Sequence, residues 1–265
     1  MQPLDDVVVL DLSRVLAGPF ASMTLADMGA RVLKIEQPGT GDDTRAFGPP
    51  FVGTPTVGGR GESTYFLSVN RGKESLCIDL KSPRGKQLIL DLAARADVVL
   101  ENFRPGVLKR LGLDADKLLK HNPRIIACSI SGYGNSGLAE YVDKPGYDPV
   151  AQGMGGLMSI TGEPGRGPMR VGIPVADLTA GNLLALAVMI ALYDRERTGK
   201  GRWVHTSLLE SQVFMLDLQA ARFLMDGVVP KQAGNDHPVN IPMGVFPTAD
   251  KPINIAASST KMWSQ

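Results

Sequence analysis

Along the chain, short apolar runs alternate with stretches of helical periodicity and with polar connections rich in glycine and proline. Four runs stand out: residues 7–12 (VVVLDL), 31–36 (RVLKIE), 97–103 (DVVLENF) and 124–131 (RIIACSIS). Most of their apolar residues are β-branched, and the runs lack the strict alternation of a half-exposed strand. Runs that are apolar on both faces predict buried strands of a parallel sheet. Residues 75–80 (SLCIDL) are a fifth candidate strand. Between the runs, residues 21–28 predict a helix after a Gly18-Pro19 turn. Residues 82–96 predict another, opening on Ser82-Pro83, a cap followed by proline at the first helical position. Alternation of strand and helix predicts an α/β fold, a doubly wound, mostly parallel, Rossmann-like sheet.

That core is expected over residues 1–203. Residues 38–62 and 131–172 read as surface excursions, the second with a short helix near Val150. Residues 177–197 read as a long apolar helix, stopped by Thr198-Gly199-Lys200-Gly201. A further helix, 208–226, forms a linker over 204–228. A loop at 227–243 and a hairpin at 244–257 then open a second, smaller domain (229–265), which is incomplete at the C-terminus.

Composition narrows the picture. The 265 residues are 43% hydrophobic and 21% charged, which suits one large core with room for a small second domain. A net charge of +1 supplies no field to recruit nucleic acid or an anionic membrane, so local cations must hold any anionic ligand. Cys77 and Cys128 sit inside apolar runs, without disulfide or metal-ligand spacing, which suits a reducing compartment. The first residues carry no signal peptide. The longest near-continuous apolar stretch, 183–193, is shorter than the ~20 residues that cross a bilayer. A cytoplasmic protein is expected, although a mitochondrial matrix protein that had shed its transit peptide would look the same.

Several familiar motifs are missing. No G-x-G-x-x-G follows the first strand, and Gly-Thr-Gly-Asp-Asp (39–43) lacks the Gly-Lys-Ser/Thr ending of a phosphate loop. No G-x-S-x-G elbow exists, and His121, His205 and His237 share no metal-like spacing. Dehydrogenase, kinase, hydrolase and metalloenzyme readings all weaken. Neither a metal nor a permanently bound cofactor is expected.

Other phrases are distinctive: LDLSRVLAGP (10–19), LADMGA (25–30), KIE (34–36), GDDTR (41–45), NRGK (70–73), DLK (79–81) and ENFRPG (101–106). In this order they resemble the class III CoA-transferase family, the group of formyl-CoA transferase, carnitine CoA-transferase and α-methylacyl-CoA racemase, over about residues 4–265. The resemblance implies a large CoA-binding α/β domain, an acyl-CoA thioester as substrate and a carboxylic acid acceptor. It also implies an interlocked homodimer whose chains are longer than this one and return to the large domain through a C-terminal segment.

By the resemblance, the catalytic residue is Asp177, in Val175-Ala176-Asp177-Leu178-Thr179. Taken alone, an aspartate before an apolar helix reads as its N-cap. The helix dipole there favours an ionised carboxylate. Attack on an acyl-CoA would give a mixed anhydride and then an aspartyl-CoA thioester, the logic of nucleophilic catalysis. The family's glycine-containing loop, a source of N–H donors for the intermediates, maps to residues 234–238 and so to Gly234 and Asn235; a plain connecting loop is the other reading. The family's motifs place Leu16 and Ala17 near the pantetheine or thiol end of CoA. They place Ile78 to Lys81 at the nucleotide, with Asn102, Phe103, Arg104 and Arg110 nearby. The alternative for Lys81 and Arg110 is a solvated charge at an element end.

The racemases of the group use a histidine in Gly-His-Asp. The matching residues here are Gly146-Tyr147-Asp148. A phenol, with an ordinary pKa near ~10, is a poor base beside an imidazole near ~6.5. Transfer is therefore expected, with Tyr147 and Asp148 lining the thioester site. Racemisation and a non-catalytic CoA-binding module are the alternatives. Residues 41–53 and 63–70 most resemble transferases of succinyl-CoA and a second dicarboxylate such as glutarate. Arg45 or Arg170 could meet the distal carboxylate, or each is a surface arginine.

Overall fold

The computed structural model describes residues 2–54 and 61–264. Its strands are β1 (Val8–Asp11), β2 (Arg31–Glu36), β3 (Phe51–Val52), β4 (Glu62–Ser63), β5 (Lys73–Cys77), β6 (Val98–Glu101), β7 (Ile126–Ser131), β8 (Arg202–Ser207), β9 (Met243–Phe246) and β10 (Ile253–Ala256). The first helices are α1 (Ala17–Asp27), α2 (Thr64–Asn70), α3 (Pro83–Ala93), α4 (Val107–Leu111), α5 (Ala115–His121) and α6 (Ala139–Val142). They are followed by α7 (Asp148–Met154), α8 (Leu157–Ile160), α9 (Val175–Thr198), α10 (Leu208–Phe214), α11 (Asp217–Asp226) and α12 (Thr260–Trp263).

Six strands build one sheet in the order β5-β2-β1-β6-β7-β8, every neighbouring pair parallel. Counted by appearance in the sheet, that is the 3-2-1-4-5-6 order of a doubly wound fold, with its topological switch between β1 and β6. Both faces are covered, which explains the near-continuous apolar runs. Val9, Val98, Leu100, Ile126 and Ile130 join Ala21 and Leu25 of α1 and Leu184 and Val188 of α9 in one cluster. Leu10, Val99 and Ala127 point the other way and meet Ile89 of α3 and Leu118 of α5. By length and composition α9 could cross a bilayer. In this fold it is the central helix of one face, with Ala176, Ala180, Leu184, Val188 and Leu192 buried.

The structure departs from the sequence reading at several elements. β8 carries no apolar run because it is the sheet's edge strand, and every residue of it before Ser207 is at least partly exposed. The sheet therefore continues through Ser207, past residue 203. The helix expected over 208–226 is two, α10 and α11, separated where Asp217 takes a φ of 42°. Gly18 and Pro19 lie inside the first turn of α1, not before it; proline is tolerated there because its missing N–H has no intrahelical partner to lose. The fifth strand runs 73–77, so Ile78 follows it. Residues 55–60 of the expected excursion lie outside the described residues; on either side of them β3 and β4 pair antiparallel. β9 and β10 form the expected hairpin.

Candidate active site

The connection after β1 is built on buried charge. Asp11 ends β1 fully buried and accepts hydrogen bonds from the Ser13 backbone N–H (2.9 Å) and hydroxyl, Ser22 Oγ (2.5 Å) and Lys73 Nζ (3.0 Å). Burial by itself would raise the Asp11 pKa, but Lys73, Lys34 and the two hydroxyls outweigh it and hold the carboxyl at about 2. Lys34, 1% exposed, donates to the Ser13 carbonyl (3.0 Å) and pairs with Asp42 (2.8 Å). Asp42 in turn accepts from Thr44 (2.9 and 2.7 Å) and from the Val15 N–H (3.3 Å). Inside this frame Val15 adopts a φ of +70°, a left-handed conformation rare for a β-branched residue. Leu16 then caps α1 and Ala17 begins it, both buried.

α9 brings Asp177 to this point. Its N-cap is Pro174, so Asp177 lies within the first turn and is not the cap. Capping comes from a distance: Asp148 Oδ1 accepts from the Ala176 N–H at 2.8 Å. Gln152, fully buried, donates to Asp148 Oδ2 (2.7 Å), and its Oε1 accepts from the Val171 N–H (2.9 Å). Asp148 reaches α9 because Gly132, just past β7, touches Gly146. A Cβ on either would lie 2.2–2.5 Å from the other's Cα, so only two glycines permit the approach. Farther along α9, a Cβ on Gly181 would meet the Ala17 carbonyl at 2.7 Å and the Phe20 ring at 3.0 Å. The start of α1 thus lies against α9 about one turn beyond Asp177.

Among the described residues no hydrogen-bond donor reaches the Asp177 carboxylate. Burial, and then the neighbouring charge of Asp148, push its pKa up from 3.8 to about 7. These two effects exceed any gain from the helix dipole, so Asp177 keeps its proton to a higher pH than an ordinary aspartate, unlike the readily ionised carboxylate the sequence suggested. Tyr65, which no sequence signal singles out, faces the same carboxylates. Its phenol pKa is raised by burial and then by Asp177, Asp148 and Asp42. The ring packs edge-on against Phe47 at 5.6 Å.

The other candidate residues distribute as follows. Leu16 and Ala17 follow β1, buried Ile78 and exposed Lys81 follow β5, and Asn102, Phe103 and Arg104 follow β6. All lie beyond the C-terminal ends of parallel strands; those after β1 and β6 flank the switch, where ligands of such sheets bind, and those after β5 lie at the sheet's far edge. Arg110 in α4 is exposed, its guanidinium near Gly106. Tyr147 precedes α7 with 62% of its surface exposed. Gly234 donates its N–H to the Gly162 carbonyl (3.0 Å), and Gln232 holds the Thr161 and Gly167 carbonyls (2.7 and 2.6 Å). These bonds tie the 232–234 loop to residues 161–167, not to the first turn of α9; Asn235 is exposed. Arg45 is already engaged, by Glu36 at 2.7 Å, by Glu62 at 3.3 Å and by the Phe66 ring at 3.7 Å. Arg170 is exposed and donates to the Gly172 carbonyl (3.2 Å), with no carboxylate partner among the described residues. Among the described residues no group of three or more His, Cys, Asp or Glu side chains could hold a metal ion.

Comparison with known proteins places this geometry. The model of CoA-transferase family III matches residues 4–265. The succinyl-CoA:glutarate CoA-transferase of Mus musculus is 45% identical over 264 residues, covering 100% of this chain and 58% of that protein. The succinate–glutarate CoA-transferase of Agrobacterium fabrum is 46% identical over 248 residues, covering 94% of this chain and 61% of that protein. The crystal structure of a CAIB/BAIF family protein from Brucella suis superposes with a TM-score of 0.88 at 42% identity, covering 97% of this chain and 66% of that one. The chain thus spans about 58–61% of the length of these two curated relatives.

Proposed function

The chain belongs to CoA-transferase family III, and on that premise we propose that the protein moves CoA from succinyl-CoA to a second dicarboxylate, such as glutarate, through a thioester on Asp177. One observation carries the reading. A carboxylate stands in the first turn of α9, beside the start of α1, without a donor to quench it and with a pKa of about 7. A weakly solvated carboxylate that ionises near neutrality is a competent oxygen nucleophile.

The steps follow from that group. An Asp177 oxygen attacks the thioester carbonyl, the C–S bond breaks, and CoA leaves as the thiolate with a mixed anhydride formed. The thiolate attacks the Asp177 carbonyl carbon, releasing the donor acid and leaving an aspartyl-CoA thioester. The incoming carboxylate attacks that thioester, giving a second anhydride and thiolate, and the thiolate's attack on the acceptor acyl carbon releases the new acyl-CoA and restores Asp177. Asp148, held by Gln152, keeps Asp177 oriented through the Ala176 N–H and raises its basicity. The CoA would run along the strand ends that carry Leu16, Ala17, Ile78, Lys81, Asn102, Phe103 and Arg104, with Arg110 of α4 nearby and Tyr147 toward the acyl group. By the resemblance the protein would act as an interlocked homodimer, and its free Cys77 and Cys128 suit a reducing compartment, the cytoplasm or the mitochondrial matrix. Because Arg45 is occupied, Arg170 is the better candidate for a distal carboxylate.

Incubation with succinyl-CoA and glutarate, with the CoA esters followed by mass, tests the proposal. Glutaryl-CoA is expected. Deuterium uptake beside the thioester of a 2-methylacyl-CoA without exchange would instead indicate racemisation, and CoA binding with neither outcome a binding module.

A further inference from the structure

Residues 13–19, the connection after β1 and the first residues of α1, are held by side chains from other parts of the chain. The Ser13 carbonyl accepts from Lys34 (3.0 Å), the Val15 N–H donates to Asp42 (3.3 Å), and the Pro19 carbonyl accepts from Lys73 (2.8 Å). The Arg14 backbone is held by a single side chain, while its guanidinium pairs with Asp43 at 3.3 Å. Asn102 Oδ1 accepts from the Arg14 N–H at 2.9 Å, and Asn102 Nδ2 donates to the Arg14 carbonyl at 2.6 Å. Two such bonds to the N–H and C=O of one residue imitate the pairing of a neighbouring strand. They do so where β1 and β6 have ended and the sheet offers no neighbour.

The support for Asn102 is itself fixed. Glu101 Oε2 accepts from the Phe103 N–H at 2.8 Å, pinning the turn on both sides of Asn102. What Asn102 holds is the residue before Val15, whose left-handed backbone persists only if its surroundings enforce it. From Val15 the chain enters α1, whose first N–H groups have no side-chain cap and whose Ala17 carbonyl abuts Gly181 of α9.

We infer that Asn102 is a positioning residue for the transfer reaction: its amide locks Arg14, and through it left-handed Val15, so that the start of α1 keeps its register against α9 at Gly181, one turn beyond Asp177. The inference rests on the proposed function and assigns Asn102 a role besides any contact with CoA. Asparagine suits it because aspartate lacks the donor and glutamine is longer by a methylene.

The test compares the wild-type protein with Asn102→Ala and Asn102→Asp. Steady-state kinetics, the CoA dissociation constant and amide hydrogen exchange over residues 13–16 are measured for each. Small displacements of a reacting group reduce turnover by about 10²-fold. Asn102→Ala should lower kcat by about that factor, beyond whatever it costs in CoA affinity, with exchange at Arg14 and Val15 accelerated. Asn102→Asp, close in size and keeping the acceptor for the Arg14 N–H, should fall between. A rise of about tenfold in the CoA dissociation constant with kcat retained would overturn the inference, making Asn102 a plain ligand; so would unchanged exchange at Arg14 and Val15. If the wild-type protein transfers no CoA, the proposed function fails, while the exchange measurement still decides whether the clamp exists.

Discussion

Replacing Asp177 by asparagine should make the protein more stable, and only at the pH values where the carboxylate is charged. The folded protein raises the Asp177 pKa from 3.8 to about 7 by burial and by the Asp148 charge. Between those values the folded state binds its proton more tightly than the unfolded chain does, so stability declines as pH rises from about 4 to 7. At 1.36 kcal/mol per pH unit, the full shift corresponds to a ceiling of about 4 kcal/mol. Asp177 is not wholly buried, and solvent and backbone relaxation reduce this to roughly 1–3 kcal/mol. Asparagine carries no charge and escapes the penalty. In urea or thermal unfolding, Asp177→Asn and wild type should differ little at pH 4.5. At pH 8 the variant should gain several degrees, at about 2–4 °C per kcal/mol for a domain of this size. A gap that is independent of pH, or a variant less stable at pH 8, would refute the electrostatic reasoning.

Other perturbations follow from the same geometry. Asp148→Asn removes the like charge, so the acid limb of the transfer rate should shift to lower pH by about one unit, read from a pH–rate profile; the plateau should fall as Gln152 loses its acceptor. Gly181→Ala drives a Cβ into the Ala17 carbonyl at 2.7 Å, and the overpacking should destabilise by about 1–3 kcal/mol in denaturant unfolding while reducing kcat. Arg45→Ala strips Glu36 of its bidentate partner and should destabilise by about 2 kcal/mol while leaving the preference between dicarboxylate and monocarboxylate acceptors unchanged. Glu36 resists its own burial and is held at about 2 by hydrogen bonds from Arg45, Ser75 and the Asp42 backbone. The Arg45 contribution should therefore be full above about pH 4.5 and fade as pH falls toward 2, measurable by acid titration of stability.

The sheet was legible wherever a strand is buried on both faces, as β1, β2, β6 and β7 are. β8 hid because an edge strand needs no apolar run, and Trp203 and His205 gave no periodic signal. The short helices α2, α4 and α5 fell between signals; α2 lies inside a phrase read for its resemblance, not for its Ser63 cap. At the site, Asp177 was visible as an aspartate opening an apolar helix. Its state was not, because Asp148 and Gln152 arrive from another element through the Gly132–Gly146 contact. Arg45 looked like a free cation in sequence; its partners Glu36 and Glu62 come from other elements. The resemblance places Asn102 near CoA; that its amide also turns back onto Arg14 shows only in the fold, because the two lie far apart in sequence.

The proposed transfer requires that Asp177 become covalently attached during turnover. The most direct measurement is to mix the protein with succinyl-CoA, quench within one turnover, reduce with borohydride and sequence the modified peptide by mass. The expected result is an aspartyl thioester at position 177, converted by reduction to the corresponding alcohol, and no such product in Asp177→Ala. Transfer of CoA that persists in Asp177→Ala, or an adduct on another residue, would contradict it.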